Sequence, residues 1–416
     1  MKRILVFFLV LCCLSGMLFF GCKKAETSTT LELLFYSPEL ESQYNELTAA
    51  YKAETGVTLN IVLTQGNYRA LLAGRINSGD APDVFMSSAY ADNYDYQDYS
   101  YDLSREDFIK NISPAALEGV TVDGKITGYP FLVQSHSFIY NKKVFRDAGI
   151  TTLPRTIAEY EDACKKIEAI GVQPFATGFF EWWVLPQTAW QAIAPAVASK
   201  YGGFSTFVSR LDSGALKFSD VPEMADLFDL LDLIKKYGGS KPGESDFQDQ
   251  VSMVATGEVA MIHQGIWAED SIKQVNPNVE IGFLVGPAGN NAAGAGIMFD
   301  SNQTLRVYKD SKNLQAVLDW LRWLTNSQYG KSWIPDRVKQ LSPIASASAP
   351  DSDIARETVA MMSNGVPAFP WFYQMFPSGS EEQLGVILQG YCAGLTDRRA
   401  TLTALDEAYA RLIRAQ

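Results

Sequence analysis

From residue 31 onward, short apolar runs alternate with amphipathic segments. Residues 31–36 form a run of strand length, and residues 39–54 place Leu40, Tyr44, Leu47 and Tyr51 on one helical face. Gly56 stands where a left-handed stop belongs, and residues 57–63 read as a second strand. Together these predict one βαβ unit with a right-handed crossover. A helix over 68–76, the turn 77–82 and an apolar strand at 83–86 follow, so that Ser87 and Ser88 emerge at the carboxyl end of a parallel strand. Open α/β sheets bind ligands there. Further along, Thr156 and Glu159 make a capping box for a helix over 157–170. Gly257 ends another helix, and residues 259–262 form a buried strand that leads into Gly265, Ile266 and Trp267. Residues 316–333 read as one amphipathic helix, and a last helix begins near Leu402. The pattern predicts an α/β protein.

Residues 123–149 carry more information than any other stretch. Asp123-Gly124 is the favoured pair for a tight hairpin turn. Residues 131–133 and 138–140 read as two short apolar strands, with the polar run 134–137 crossing between them. Asn141 then supplies an N-cap oxygen, Val144, Phe145 and Ala148 a helical stripe, and Gly149 a left-handed stop.

The N-terminus points out of the cytoplasm. Lys2 and Arg3 precede an apolar run over 4–20 that is short for a membrane span, and Gly21-Cys22 sits where a signal peptidase would cut. A bacterial lipoprotein signal over 1–21 is expected, with Cys22 lipidated and residues 22–30 a polar tether; the alternative is an ordinary secretory signal. With 416 residues, two domains are the natural expectation. Loss of Lys2 and Arg3 with the signal moves the formal charge from −12 to −14, which argues against nucleic acid and anionic lipid as partners. Cys164 and Cys392 then remain, and a large core leaves two buried free thiols as the expectation.

Five segments, in order, resemble the extracellular solute-binding proteins of ABC importers, the family 1 type that includes maltose- and multiple-sugar-binding proteins. They are INSGDAPDVF at 76–85, the 123–149 stretch, the Leu153-Pro154 and Thr156 to Glu159 segment, VATGEVAMIHQGIWA at 254–268, and Leu341-Ser342-Pro343 with the final helix. The resemblance implies a periplasmic-binding-protein-like type II α/β fold, two lobes joined by a multi-strand hinge with the ligand cleft between them. Lobe 1 would hold 31–134 plus 290–310, and lobe 2 would hold 138–288 plus 312–416. The glycine-rich stretch 286–296 reads either as the second crossing or as a surface loop; it lacks the Gly-Lys-Ser/Thr ending of a phosphate cradle.

The function implied is that of the substrate-binding component of an ABC importer, which captures a carbohydrate, an oligosaccharide in particular, by hinge closure. Its partners would be that sugar, the permease subunits with their ATPase, and a membrane reached through the lipid anchor. A monomer in the cell envelope, without cofactor or metal, is expected. The alternatives are a binding protein for a polyol, a polyamine or ferric ion, and beyond those a secreted carbohydrate-active enzyme.

Sugars present flat C–H faces and a rim of hydroxyls, so a site needs aromatic plates and bidentate acceptors. The run Phe179 to Trp183 offers both. In the maltose-binding relatives the matching loop contributes a Glu and an aromatic, which align with Glu181 and Trp183; Trp182 is the further candidate. Trp267 matches the family's stacking Trp, and Trp371 and Tyr373 fall near its C-terminal aromatic site. Glu39, Asn67, Tyr68 and Ser87 follow first-lobe strands, Asp300 lies in the returning segment, and Gln134 and His136 lie in the crossing. Against catalysis, there is no Gly-x-Ser-x-Gly, His-Glu-x-x-His or Cys-x-x-Cys motif, and His136 and His263 stand far apart in sequence. The tyrosines at 90, 94, 96, 99 and 101 resemble ferric-ion ligands but read better as a polar solvated loop.

Overall fold

Strand β1 (Thr30–Phe35) pairs in parallel with β2 (Thr58–Leu63) along its whole length and with β3 (Val84–Ser87) over Leu33 and Leu34. The helix Glu41–Thr55 between β1 and β2 buries Tyr44, Leu47 and Tyr51 and ends on Gly56 at φ 76°. A computed structural model of the chain describes residues 29–64, 68–241 and 243–415. The expected signal segment, most of the tether, Cys22 and Asn67 lie outside them.

A hairpin of β4 (Thr121–Val122) and β5 (Lys125–Ile126) turns on Asp123 and Gly124, both at positive φ, as that residue pair requires. It leads into β6 (Tyr129–Asn141). This is one continuous strand of 13 residues, all buried, where the polarity pattern predicts two short ones. Polar side chains interrupt a hydrophobic pattern without interrupting the backbone ladder. Strands β7 (Gln173–Ala176), β8 (Val259–Gly265), β9 (Ile281–Leu284), β10 (Ile297–Val307) and β11 (Ala368–Phe369) complete a nine-stranded mixed sheet of order β2-β1-β3-β10-β6-β8-β7. In addition, β9 pairs with β6 and β11 with β10.

Two large cores lie at opposite ends of this sheet. The first gathers Leu33, Phe85, Phe131 and Leu305, and the second Phe138, Trp190, Leu231 and Phe372; a smaller cluster around Ile262 and Ile297 lies beside the second. Strands β6 and β10 serve both ends. Tyr129, Phe131 and Leu132 of β6 belong to the first core and Phe138 and Tyr140 to the second, and β10 runs antiparallel to it from Met298 in the second core to Val307 in the first.

Two expectations about borders are corrected. The expected second lobe takes in residues 312–416, yet Val317, Trp320, Leu324, Trp333 and Ile344 pack into the first core, and the Trp333 ring stacks near Tyr44 and Phe131 at 6.1 and 5.9 Å. An amphipathic stripe says that a helix has a buried face but not which core covers it. The stripe itself is broken into Leu314–Asn326 and Gln328–Trp333, because Ser327 is extended and caps Gly330 N at 2.9 Å. Of the two readings of the glycine-rich stretch, the loop forms and the crossing does not, so the return to the first core does not begin at residue 290. Gly286 pairs with Gly296, Gly289 O accepts from Ile157 N, and Arg155 donates to Ala292 O, so the loop lies against the second half and β10 makes the crossing. Cys164 and Cys392 are both buried free thiols.

Candidate functional site

The middle of β6 carries four polar side chains into the interior, Gln134, Ser135, His136 and Ser137, each at most 2% exposed. Burial obliges each to find a partner. Gln134 donates to Gln340 Oε1 at 2.8 Å, Ser135 pairs with Thr358 Oγ1 at 2.8 Å, and Ser137 accepts from Gln191 at 2.9 Å. His136 is the exception. Neither ring nitrogen has a partner among the described residues, and the ring is enclosed by Trp371, His263 and Trp267 at 4.7, 5.3 and 6.3 Å. Burial, with His263 adding to it, pushes its pKa well below the usual value, so the ring is neutral and presents one donor and one acceptor. His263 is held by Thr188 and Gln191, and burial lowers it to about 3.

Aromatic plates assemble around that imidazole. Trp371 and Tyr373 are nearly stacked, 6.2 Å apart with planes 24° from parallel, and Trp267 meets Trp371 edge-on at 5.8 Å. Trp371 Nε1 and the Tyr373 hydroxyl are buried without a protein partner among the described residues. The three predicted aromatics and His136 are thus brought together, although they lie up to 237 positions apart in the chain (373 − 136).

Carboxylates lie close to these rings. Asp300, at the β10 irregularity, accepts from the Tyr90 hydroxyl at 2.6 Å and from Ser301 N at 2.7 Å, and also from the backbone of Trp371. Burial raises its pKa. Tyr90 itself sits at φ 57°, a strained setting for a non-glycine residue. Glu39 is exposed by area yet enclosed by protein on most sides, and desolvation lifts its carboxyl to about 7. A small crevice is lined by Arg69, Ser88 and Asp92 from the first half and by Tyr373, Gln374, Ser380 and Glu381 from the second. Arg69 pairs with Asp92 at 2.8 Å and reaches Ser378 at 3.1 Å. Burial pushes Glu381 up to about 7, with Arg69 opposing and Asp92 adding. Ser380 Oγ and Gln374 Oε1 are buried there without partners among the described residues.

Other predicted residues are engaged in holding the fold. The Tyr68 hydroxyl bridges Leu34 O and Met86 O at 3.0 and 2.6 Å, which ties the ends of β1 and β3. Ser87 Oγ accepts from Arg306 Nε at 2.6 Å. Arg306 is fully buried and donates as well to Thr127, Ser88 O and Asn93, and burial lowers it to about 10. Glu181 accepts from Trp183 Nε1 at 3.2 Å and is raised by partial burial; Trp183 packs on Phe247 at 6.1 Å, and the Trp182 carbonyl lies against Gly385. The tyrosine run is divided among separate environments: Tyr90 on Asp300, Tyr96 on Phe85 at 5.3 Å, Tyr101 on Glu106 at 3.1 Å, and Tyr94 69% exposed. Among the described residues no group of three or more His, Cys, Asp or Glu could hold a metal ion.

Arg69, Asp92, Glu381 and Arg306 escaped the sequence reading. The first two were within its reach, since both follow the carboxyl ends of first-half strands, the rule that selected Ser87. Nothing local marks Glu381 or Arg306.

The sequence matches the bacterial extracellular solute-binding protein family over residues 37–331. The chain belongs to this family. This solute-binding protein is 23% identical over 332 residues to the multiple sugar-binding protein of Streptococcus mutans, an alignment covering 76% of this chain and 77% of that one. To MelE of Bacillus subtilis, named as a melibiose/raffinose/stachyose-binding protein, it is 20% identical over 410 residues, 94% and 93% of the two chains. Among solved structures it superposes on RafE in complex with raffinose with a TM-score of 0.80 at 21% identity, covering 93% of this chain and 100% of that one. A sugar transporter of Bacillus licheniformis in complex with stachyose gives 0.78 at 19% identity, with 92% and 100% covered. These likenesses establish the periplasmic-binding-protein-like α/β fold, and the family and its neighbours are binding proteins.

Proposed function

We propose that the protein captures an oligosaccharide between its two cores and presents it to the permease of an ABC importer, with no bond made or broken. The observation that carries this reading is the set Trp267, Trp371, Tyr373 and His136, which combines aromatic faces with the buried ring nitrogens of Trp371 and His136 and the hydroxyl of Tyr373, none of which has a partner among the described residues. Flat apolar faces and unpaired polar atoms at one place suit a ring that is apolar on its faces and hydroxylated at its rim. The names of the relatives, which mention sugars, raffinose and stachyose, agree with it.

In this reading the lobes are 31–134 with residues from about 303 to 344, and 138–300 with the remainder of the chain. The crossings in β6 and β10, and a third after Ile344, act as the hinge. Glu181, Trp182 and Trp183 form an outer wall, and the crevice at Glu381 forms the polar end. Cys22 carries the lipid that tethers a monomer to the membrane; Cys22→Ser is expected to move the protein from the membrane to the soluble fraction.

Thermal unfolding of the purified protein against mono- and oligosaccharides, polyols, polyamines and ferric ion tests the ligand class. A ligand that binds only the native state raises the midpoint by mass action. A rise with an oligosaccharide alone is the expected result, and a rise with only ferric ion or a polyamine would overturn the sugar reading.

A further inference from the structure

Trp267 follows the end of β8, and its ring folds back over Gly265, where a β-carbon would lie 2.1 Å from the indole Cζ3. The indole nitrogen can only donate, and it donates to Gln264 Oε1 at 2.9 Å. That single bond orients the amide. With its oxygen turned to Trp267, Gln264 must point its NH2 the other way, where it donates to Gln250 Oε1 at 2.7 Å. Gln250 in turn directs its own NH2 to the Ala176 carbonyl at 3.0 Å. Both glutamines are fully buried, so no water competes for these positions. The three bonds run head to tail, each polarising the next, and the donor-only indole fixes both amide orientations.

The far end of this chain touches the other predicted wall. Ala176 ends β7 and leads into residues 178–183, which carry Glu181 and Trp183. Gly178 lies so close that a β-carbon would sit 2.5 Å from Gln250 Oε1. Phe247, three residues before Gln250 on the helix Phe247–Thr256, packs on Trp183 at 6.1 Å. One helix therefore contacts the segment that carries Glu181 and, through two amides, the ring of Trp267.

We propose that Gln250, acting through Gln264, is a positioning residue for Trp267, and that the two amides couple the ring to residues 176–183. Removing the Gln250 amide takes away the acceptor of the Gln264 NH2, so Gln264 is no longer anchored on its far side and its hydrogen bond with Trp267 is weakened, without Trp267 itself being altered. The consequence for binding rests on the reading of Trp267 as a sugar contact; the positioning itself does not.

Two measurements separate these. In protein labelled with ¹⁵N-tryptophan, the Trp267 indole N–H is identified by its loss in Trp267→Phe, and its exchange with solvent is followed without ligand. Gln264→Leu and Gln250→Leu are both expected to speed that exchange by about ten-fold or more, the equivalent of one lost net hydrogen bond. Unchanged exchange in Gln250→Leu would overturn the proposal. If Gln250→Leu does not fold, Gln250→Met keeps the chain length while losing both amide functions and carries the same test. Raffinose affinity is then measured for Gln250→Leu in the Trp267 and Trp267→Phe backgrounds. A loss of about five-fold in the first and none in the second supports coupling through the indole, and equal losses overturn it. Failure of raffinose and stachyose to bind the unaltered protein would count against the sugar reading, and the exchange result alone would then decide the positioning.

Discussion

The ring of Trp371 stands edge-on to that of His136, 4.7 Å between centroids, and neither the indole nitrogen nor either imidazole nitrogen has a protein partner among the described residues. Each such buried group costs about 1–3 kcal/mol when left unsatisfied. Groups of this kind are satisfied by ordered water or by another bound molecule.

Tyr373 gives the simplest test, because its hydroxyl is buried and bonded to no protein atom described. Tyr373→Phe removes a desolvated polar group, so the unfolding midpoint is expected to stay level or rise. Sugar affinity is expected to fall by about 1 kcal/mol, roughly five-fold. Calorimetry on both proteins reads the two quantities, and a fall in stability with unchanged affinity would place the hydroxyl in the scaffold.

Glu381 provides a pH signature. Its carboxyl is raised from 4.5 to about 7, so between those values the folded state holds a proton that the unfolded chain releases. Stability from this group is fully present below about 4.5 and is lost as pH rises through about 7. His263, lowered from 6.5 to about 3, contributes the opposite slope between those values, and Glu39 the same slope as Glu381. Both cancel in a comparison with Glu381→Gln. The midpoint of the variant relative to the unaltered protein is expected to climb across the window, whereas a flat difference would show that Glu381 titrates normally.

Arg306 holds the first half together where strands end. Arg306→Leu leaves acceptors on Ser87, Ser88, Asn93 and Thr127 without their donor, and a loss of about 3–5 kcal/mol in urea unfolding is expected. Arg306→Lys is expected to recover little of it, since one ammonium cannot reproduce the guanidinium fork. Full recovery by lysine would mean that charge alone matters there.

Gly265→Ala places a methyl group inside the Trp267 ring. Displacing the ring is expected to cost about 1–3 kcal/mol of stability and to lower sugar affinity, read by thermal unfolding and titration of the same sample. Unchanged affinity would remove Trp267 from the site.

Features written within a few residues were legible without coordinates. The Thr156 to Glu159 capping box, the Asn141 cap on Val144 N, the turn at Asp123 and Gly124, and the stops at Gly56, Gly149 and Gly257 all form as expected. Their partners lie within one helical turn, so side-chain chemistry and the backbone freedom of glycine decide them. The aromatics Trp267, Trp371 and Tyr373 could be named as well, because a family resemblance supplied their register.

The tertiary structure decided the rest, because it depends on which distant segment arrives beside which. β6 is one strand only because β10, more than 150 residues later in sequence, and β8 pair along it and carry its polar middle through the interior. The helices from Leu314 to Trp333 join the first core because Tyr44 and Phe131 wait there for Trp333. Glu381 meets Arg69 and Asp92 across 312 positions (381 − 69), and its raised carboxyl follows from the loss of water around it, with Arg69 opposing and Asp92 adding. Periodicity and capping specify which faces are buried and where elements stop; desolvation and long-range pairing specify the site, and those are properties of the assembled chain.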